Sequence, residues 1–402
     1  MRAEVRQYLV VTGNYWAFTL TDGALRMLIV LHFYQLGFAP LAIASLFLFY
    51  EVFGIVTNLV GGWLGARLGL NNTMNIGLML QIVALSMLLL PAEALSVIWV
   101  MAAQALSGIA KDLNKMSAKS AIKLLLPDNA QSALYKWVAL LTGSKNALKG
   151  VGFFLGGLLL SLAGFNGAMA IMAIALTLVW LLSLWLLKRD LGKTRFKPKF
   201  SQLLSKSQAL NALSAARLFL FAARDVWFVI ALPLYLASQF GWSHSAVGSF
   251  LALWVIGYGI VQAIAPRLTG NSKQQAPTAQ SLLYWLLPLC LLPALIALSV
   301  SYSGYLQLLL IAGLLLFGII FAINSALHSY YIVSLARSDG VSLDVGFYYM
   351  ANACGRLLGT VLSGFAYQHW GLTACLWLSS AMLLAALACS AYLAKISAQA
   401  HG

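Results

Sequence analysis

"KRDLGKTRFKPKFSQLLSKSQ", Lys188 to Gln208, carries seven lysines and arginines and a single acid in a chain that is otherwise almost free of charge. Of 402 residues, 61% are hydrophobic and only 9% are charged. Soluble domains carry about 25% charged residues. So few charges cannot cover a globular surface in water, so most of this surface faces lipid. The basic stretch is the longest polar interruption and divides the chain into two apolar halves, 1–187 and 209–402, with 188–208 as a cytoplasmic linker.

A spanning helix needs about 20 predominantly apolar residues. Working outward from the linker, spans are expected near 8–36, 40–66, 73–91, 96–118, 137–163 and 166–187 on one side. On the other they are expected near 209–239, 243–265, 278–299, 304–334, 343–367 and 372–394. Alternate connections carry the cations: Arg2 and Arg6, Arg67, the lysines of 111–136, the linker, Arg267 and Lys273, Arg337 and Lys395. The intervening turns hold only Glu93, His244 and His369. Short basic loops mark the cytoplasmic side, so both termini are expected there. The expected fold is an all-α polytopic membrane protein of 12 transmembrane helices in two six-helix pseudo-symmetric bundles.

The basic residues behind the net charge of +15 lie mostly in these short loops, the pattern of cytoplasmic connections, so no nucleic-acid partner is expected. The four cysteines show no C-x-x-C spacing and all lie in apolar runs, so neither a disulfide framework nor a metal site is expected. The five histidines have no ligand spacing, and His32, His328 and His369 read as packed or interfacial. The first apolar run is too long for a cleavable signal. No H-E-x-x-H, G-x-S-x-G or phosphate-binding glycine loop occurs, and neither an enzyme nor a cofactor is expected.

The halves repeat each other. "LGFAPLAIAS" from Leu36 matches "FGWSHSAVGS" from Phe240, and Gly108, Ile109 and Asn114 recur as Gly318, Ile319 and Asn324. Lys149, Gly152, Leu155 and Gly157 recur as Arg356, Gly359, Leu362 and Gly364, and Asp22 recurs as Asp225. The offsets, 203 to 210, keep one order along the chain. Parallel six-helix repeats place a substrate site between the halves near mid-membrane.

"GGWLGARLGLNN" resembles the loop signature G-x-x-x-D-R-x-G-R-K of the major facilitator superfamily, with Gly62, Arg67 and Gly69 matching and Ala66, Leu70 and Asn71 departing. "GFFLGG", Gly152 to Gly157, resembles the antiporter signature G-P-x-x-G-G with Phe153 for proline; close helix packing accounts for its glycines equally well. Gln104 stands where the fourth-span signature has an arginine, so the usual proton-coupling machinery is altered.

More specific blocks resemble the organoarsenical efflux transporters called ArsJ. These are "YLVVTGNYWAFTLTDGALRM", "LFYEVFGIVTNLVGGWLGARLGLN", "SGIAKDLNKMSAKSAIKLL", "WVALLTGSKNALKG" and "LSAARLFLFAARDVWFV". That resemblance implies a multi-pass exporter in a bacterial inner membrane, and a monomer is expected. Its cargo would be 1-arseno-3-phosphoglycerate, supplied by glyceraldehyde-3-phosphate dehydrogenase acting with arsenate. The alternative is a major facilitator exporter of another organic anion, organophosphate or drug.

Ionisable groups at mid-bilayer are expensive and face a cavity or a partner. The embedded cations are Arg26, Lys111, Lys115, Lys145, Lys149, Arg217, Arg224 and Arg356, against the acids Asp22, Glu51, Asp112 and Asp225. An excess of cations selects anions. Arg26, Lys111, Lys145 and Lys149 are expected in one binding cluster and Arg224 with Arg356 in the other, with Lys115 and Asn114 beside the first. Asp22, Glu51, Asp112 and Asp225 are the candidate coupling or charge-pairing groups. Either the arginines line the site, or they only neutralise Asp22 and Asp225, their neighbours in sequence. Lys119 and Lys123, further along the same helical stripe, are expected to form a solvated face at the headgroups.

Overall fold

The computed structural model describes residues 3–37, 46–91, 94–127, 130–187, 207–269, 277–302 and 306–399. Most of the expected linker, 188–206, and the start of the second expected span lie outside these residues. The helices are α1 (Ala3–Gln35), α2 (Leu48–Leu68), α3 (Leu70–Met87), α4 (Val97–Leu125) and α5 (Gln131–Leu186). After the linker come α6 (Gln208–Phe228), α7 (Ala231–Phe240), α8 (His244–Leu268), α9 (Ala279–Tyr302), α10 (Leu306–Leu335) and α11 (Val341–Gln399).

Two of these are double. α5, 56 residues long, breaks at Gly164 (φ 67°, ψ −177°), and α11, 59 residues long, breaks at Gly371 (φ 74°, ψ −171°). Only glycine adopts that backbone without strain, and the two breaks fall 207 residues apart, within the offset of the repeat. Counting each as two spans, and α6 with α7 as one, the described residues provide twelve membrane-length segments. Helix starts are set locally: Ser96, Ser207 and Ser243 each accept a hydrogen bond from the backbone N–H three residues on.

Among the described residues, six helices from α5 onward, with α6 and α7 taken as one, are long and apolar enough to cross a membrane by length and composition. α1 to α4 are not among those six. They carry Asp22, Arg26, Glu51, Lys111, Asp112 and Lys115, the first hint that the polar chemistry concentrates there. Large apolar side chains such as Ile98 (77% exposed) and Trp185 (81%) point outward, as lipid-facing residues do.

The chain forms two compact units. The first comprises residues 1–130, 144–205 and 336–350, and its core packs Phe18, Leu25, Leu28, Phe33, Leu85 and Phe165. The second comprises 131–143, 206–335 and 351–402, around Trp227, Trp254, Phe317, Phe321 and Leu376. Each unit therefore includes one short segment from the other half of the sequence. In the first, the head of α11 lies against α2 so closely that a Cβ on Gly62 would stand 2.5 Å from the Ser342 carbonyl oxygen. That contact explains Gly62 in the loop motif, while Gly69 (φ 90°) makes the turn from α2 into α3.

Candidate functional site

In the first unit, α1 and α5 touch through glycines. A Cβ on Gly152 would lie 2.8 Å from the Leu20 carbonyl oxygen, and one on Gly156 would lie 2.5 Å from that of Ala24. The "GFFLGG" motif thus has a direct packing reason. The close approach brings Lys149, one turn before Gly152, to Asp22: Lys149 Nζ stands 3.8 Å from Asp22 Oδ2.

Around this pair Tyr50 acts as a hub. Its hydroxyl donates to Asp22 Oδ1 at 2.7 Å. Its ring meets the Arg26 guanidinium at 4.7 Å and the Lys111 ammonium at 3.8 Å from the centroid. Arg26 also pairs with Glu51 at 3.4 Å and lies over Phe47. Asp112, which is buried, carries two lysines, Lys115 at 2.6 Å and Lys111 at 3.9 Å. Lys145 donates to Asn146 Oδ1 at 3.2 Å.

Arg26 thus bonds Glu51, on another helix, while the acid one turn away in its own helix is held by Lys149 and Tyr50. Asn114 is not drawn into the cluster: its amide donates to the Ala110 carbonyl at 2.9 Å, and it abuts Gly77 on α3.

One expectation is corrected. Lys119 is not a solvated headgroup residue but 3% exposed, donating to the Tyr349 hydroxyl, and Tyr349 also lies under Lys115 at 4.6 Å. The reason is the head of α11, which belongs to this unit and covers the end of α4. Depth along one helix does not reveal what packs over it.

The second unit repeats the arrangement. Gly355 and Gly359 of α11 press on α6, where a Cβ on Gly359 would meet the Ala222 carbonyl oxygen at 2.6 Å. Arg356 thereby reaches Asp225, with Nε 3.3 Å from Oδ2. Arg224 binds the other oxygen, Oδ1, through Nε at 2.6 Å and Nη2 at 2.5 Å, and rests on Phe221 and Phe321. Asp225 is fully buried, whereas the Arg356 side chain is 32% exposed. The repeat predicted from sequence is therefore chemical as well as topological: Lys149 with Asp22 corresponds to Arg356 with Asp225.

Sequence reasoning passed over Tyr50 and Tyr349 as members of the cation clusters. The available signal is an aromatic in a membrane helix beside an embedded charge: Tyr50 stands next to Glu51. Of the other aromatics in the spans, Tyr15 and Trp227 are core residues, and Trp16 donates to Ser144.

The family model of the Major Facilitator Superfamily matches residues 10–230 and again 213–401. The fold is similar to the human organic anion transporter MFSD10 (TETRAN), with a TM-score of 0.77, 16% identity, and 97% of this chain and 100% of that one covered. It is similar to the E. coli fucose:proton symporter FucP (TM-score 0.74, 13% identity, 98% and 99% covered). A bacterial homologue of the iron transporter ferroportin in the outward-facing state matches at TM-score 0.73 and 13% identity, with 98% and 100% covered. A search of curated proteins returns no match. Two family matches spanning nearly the whole chain, on twelve helices whose halves repeat, make this chain a member of the Major Facilitator Superfamily: a multi-pass membrane secondary transporter with the all-helical fold of that family, and not an enzyme.

Proposed function

We propose that this transporter exports a small organic oxyanion from the cytoplasm, and that its cargo is the phospho-arsenate 1-arseno-3-phosphoglycerate. The charge balance of the clusters supports an anion. In the first unit Arg26, Lys111, Lys115, Lys145 and Lys149 stand with Asp22, Glu51 and Asp112, five cations to three acids. In the second, Arg224 and Arg356 share Asp225. Asp112 and Asp225, each held by two cations, leave net positive charge in low dielectric, where it attracts an oxyanion most strongly. Arginine offers a planar fork to phosphate or arsenate oxygens and lysine a mobile point charge. A phosphate or arsenate group suits either kind of cluster. The arsenical identity rests on the sequence blocks that resemble ArsJ, and so do the bacterial inner membrane and glyceraldehyde-3-phosphate dehydrogenase as supplier.

Export of this cargo is electrically favourable. Each charge crossing 100 mV is worth about 2.3 kcal/mol, so a trianion leaving a negative interior gains about 7 kcal/mol. Uniport, anion exchange and proton antiport all accommodate that gain.

Everted vesicles given enzymatically made substrate, with and without ionophores, test the reading: uptake should occur and fall when the potential is collapsed. Arg26→Ala, Lys145→Ala and Arg224→Ala should each abolish arsenate resistance in cells while protein still reaches the membrane. Normal resistance in all three removes this site. A second reading, export of a different organic anion, shares the cationic clusters, and MFSD10, described as an organic anion transporter, has the same fold. Vesicle uptake of other organophosphates without arsenate resistance would favour it. Resistance to cationic drugs would overturn both.

A further inference from the structure

Apart from these clusters, the second unit buries another polar layer. Arg217 of α6, 3% exposed, donates from Nε to Asn352 Oδ1 at 2.9 Å and from Nη1 to Ser325 Oγ at 3.1 Å. Its guanidinium lies 3.9 Å from the centre of the Phe221 ring, and buried Gln262 donates to the same Ser325 Oγ at 3.0 Å. Ser214 and His328 stand one turn away, on α6 and α10. These helices run antiparallel, so three residues back from Arg217 and three forward from Ser325 move the same way, by about 4.5 Å. His328 is fully buried and within the electrostatic reach of Arg217. Among the described residues, neither of its ring nitrogens nor Ser214 Oγ has a hydrogen-bond partner.

The internal repeat shows that packing does not demand these groups. At the offset of 203 that relates Asp22 to Asp225, Arg217 corresponds to Asn14 and Ser214 to Val11. At the offset of 210 that relates Asn114 to Asn324, His328 corresponds to Ala118. Val11, Asn14 and Ala118 are all buried, so the equivalent positions of the first half carry neither a cation nor an imidazole. Buried polar atoms without partners are rare and costly inside a bilayer-spanning fold, and each calls for something that meets it. Here the available donors are an imidazole N–H and a hydroxyl beside a guanidinium. A cation is repelled by Arg217, whereas a small anion accepts from all three.

We propose that Arg217, Ser214 and His328 form a buried site for a small inorganic anion of chloride size. The site is independent of what the transporter carries, and its test needs no transported substrate. Purified full-length protein would be exchanged into gluconate and its Tm followed as chloride or bromide is returned at constant ionic strength. A saturable rise is expected, following the mass-action dependence of stability on a ligand bound only by the folded state. Ser214→Val and His328→Ala, which install the residues of the other half, should each raise the halide midpoint at least tenfold, while Lys145→Ala leaves it unchanged. If His328→Ala fails to fold, Ser214→Val and bromide anomalous scattering carry the test, with a peak expected between Arg217 and His328. A Tm indifferent to halide, an equal response in the variants, stabilisation by inorganic phosphate alone, or only water at the peak position would each overturn the proposal.

Discussion

Lys149 with Asp22 in the first unit and Arg356 with Asp225 in the second are the same construction made twice. In each, glycines let two helices approach, and the cation sits three residues before one of them, Gly152 or Gly359. Yet the surroundings differ. Asp22 accepts from a tyrosine hydroxyl and holds one ammonium at 3.8 Å, whereas Asp225 carries two guanidinium groups and has no exposed surface. The repeat fixes where the acid and cation meet, and the sequence then sets how tightly. A loosely held lysine can leave its acid for an arriving anion, while a fully buried acid chelated by two arginines is costly to disturb.

The largest effect that would break this comparison is expected from Asp225→Asn. Removing the partner of buried charges destabilises by about 3–5 kcal/mol. The variant should therefore lose most folded protein in detergent melts. Asp22→Asn, which leaves one lysine and one hydroxyl to find other partners, should cost about 1–3 kcal/mol. Equal losses would show that the two acids do the same work. Next in size, Gly152→Ala and Gly359→Ala should each cost about 1–3 kcal/mol through overpacking, because the added Cβ meets backbone carbonyls that cannot rotate away. Both should also weaken transport by separating each cation from its acid. A transport defect confined to one of the pair would show that only one half's ion pair matters to function.

The cation exchange Lys149→Arg with Arg356→Lys probes the same contrast more finely. If fork geometry matters in the second unit and mobility in the first, the double variant should keep its Tm but lose about tenfold in apparent affinity, equivalent to about 1.4 kcal/mol. Each single change should account for part of the loss. Vesicle uptake at varied substrate concentration measures it, and unchanged affinity would make the choice of cation incidental.

The sequence alone disclosed the helices, the repeat and the embedded ionisable residues, because all three follow from hydropathy and from identities at a constant offset. Glycine pairs were visible as motifs, although only the carbonyl contacts decided that Gly152 and Gly156 serve packing. Partner choice was hidden. Arg26 stands one turn from Asp22 yet pairs with Glu51, because the rotation of α2 about its own axis is set by packing and leaves no mark in α1. Lys119 was hidden for a similar reason: a segment more than 200 residues away covers it. Tyr50 and Tyr349 were hidden by their own apolarity, since an aromatic in a membrane helix reads as packing until cations are found on its face.

The smallest predicted effect is also the most selective. Tyr50→Phe keeps the ring under Arg26 and Lys111 and deletes only the hydroxyl that donates to Asp22. A hydrogen bond to a charged group contributes about 1.5–3 kcal/mol, and here Lys149 remains to hold the acid, so the lower end applies. Deprived of one donor, Asp22 should draw Lys149 closer and make it less available to an anion. Apparent affinity in vesicles should fall a few-fold and Tm by only a few degrees, while maximal rate stays near wild type. Tyr50→Leu, which also removes the ring, should do more, because two cations then lose their aromatic support. Identical behaviour of the Phe and Leu variants would show that the hydroxyl does not tune the pair, and the looseness of the first unit would then rest on lysine alone.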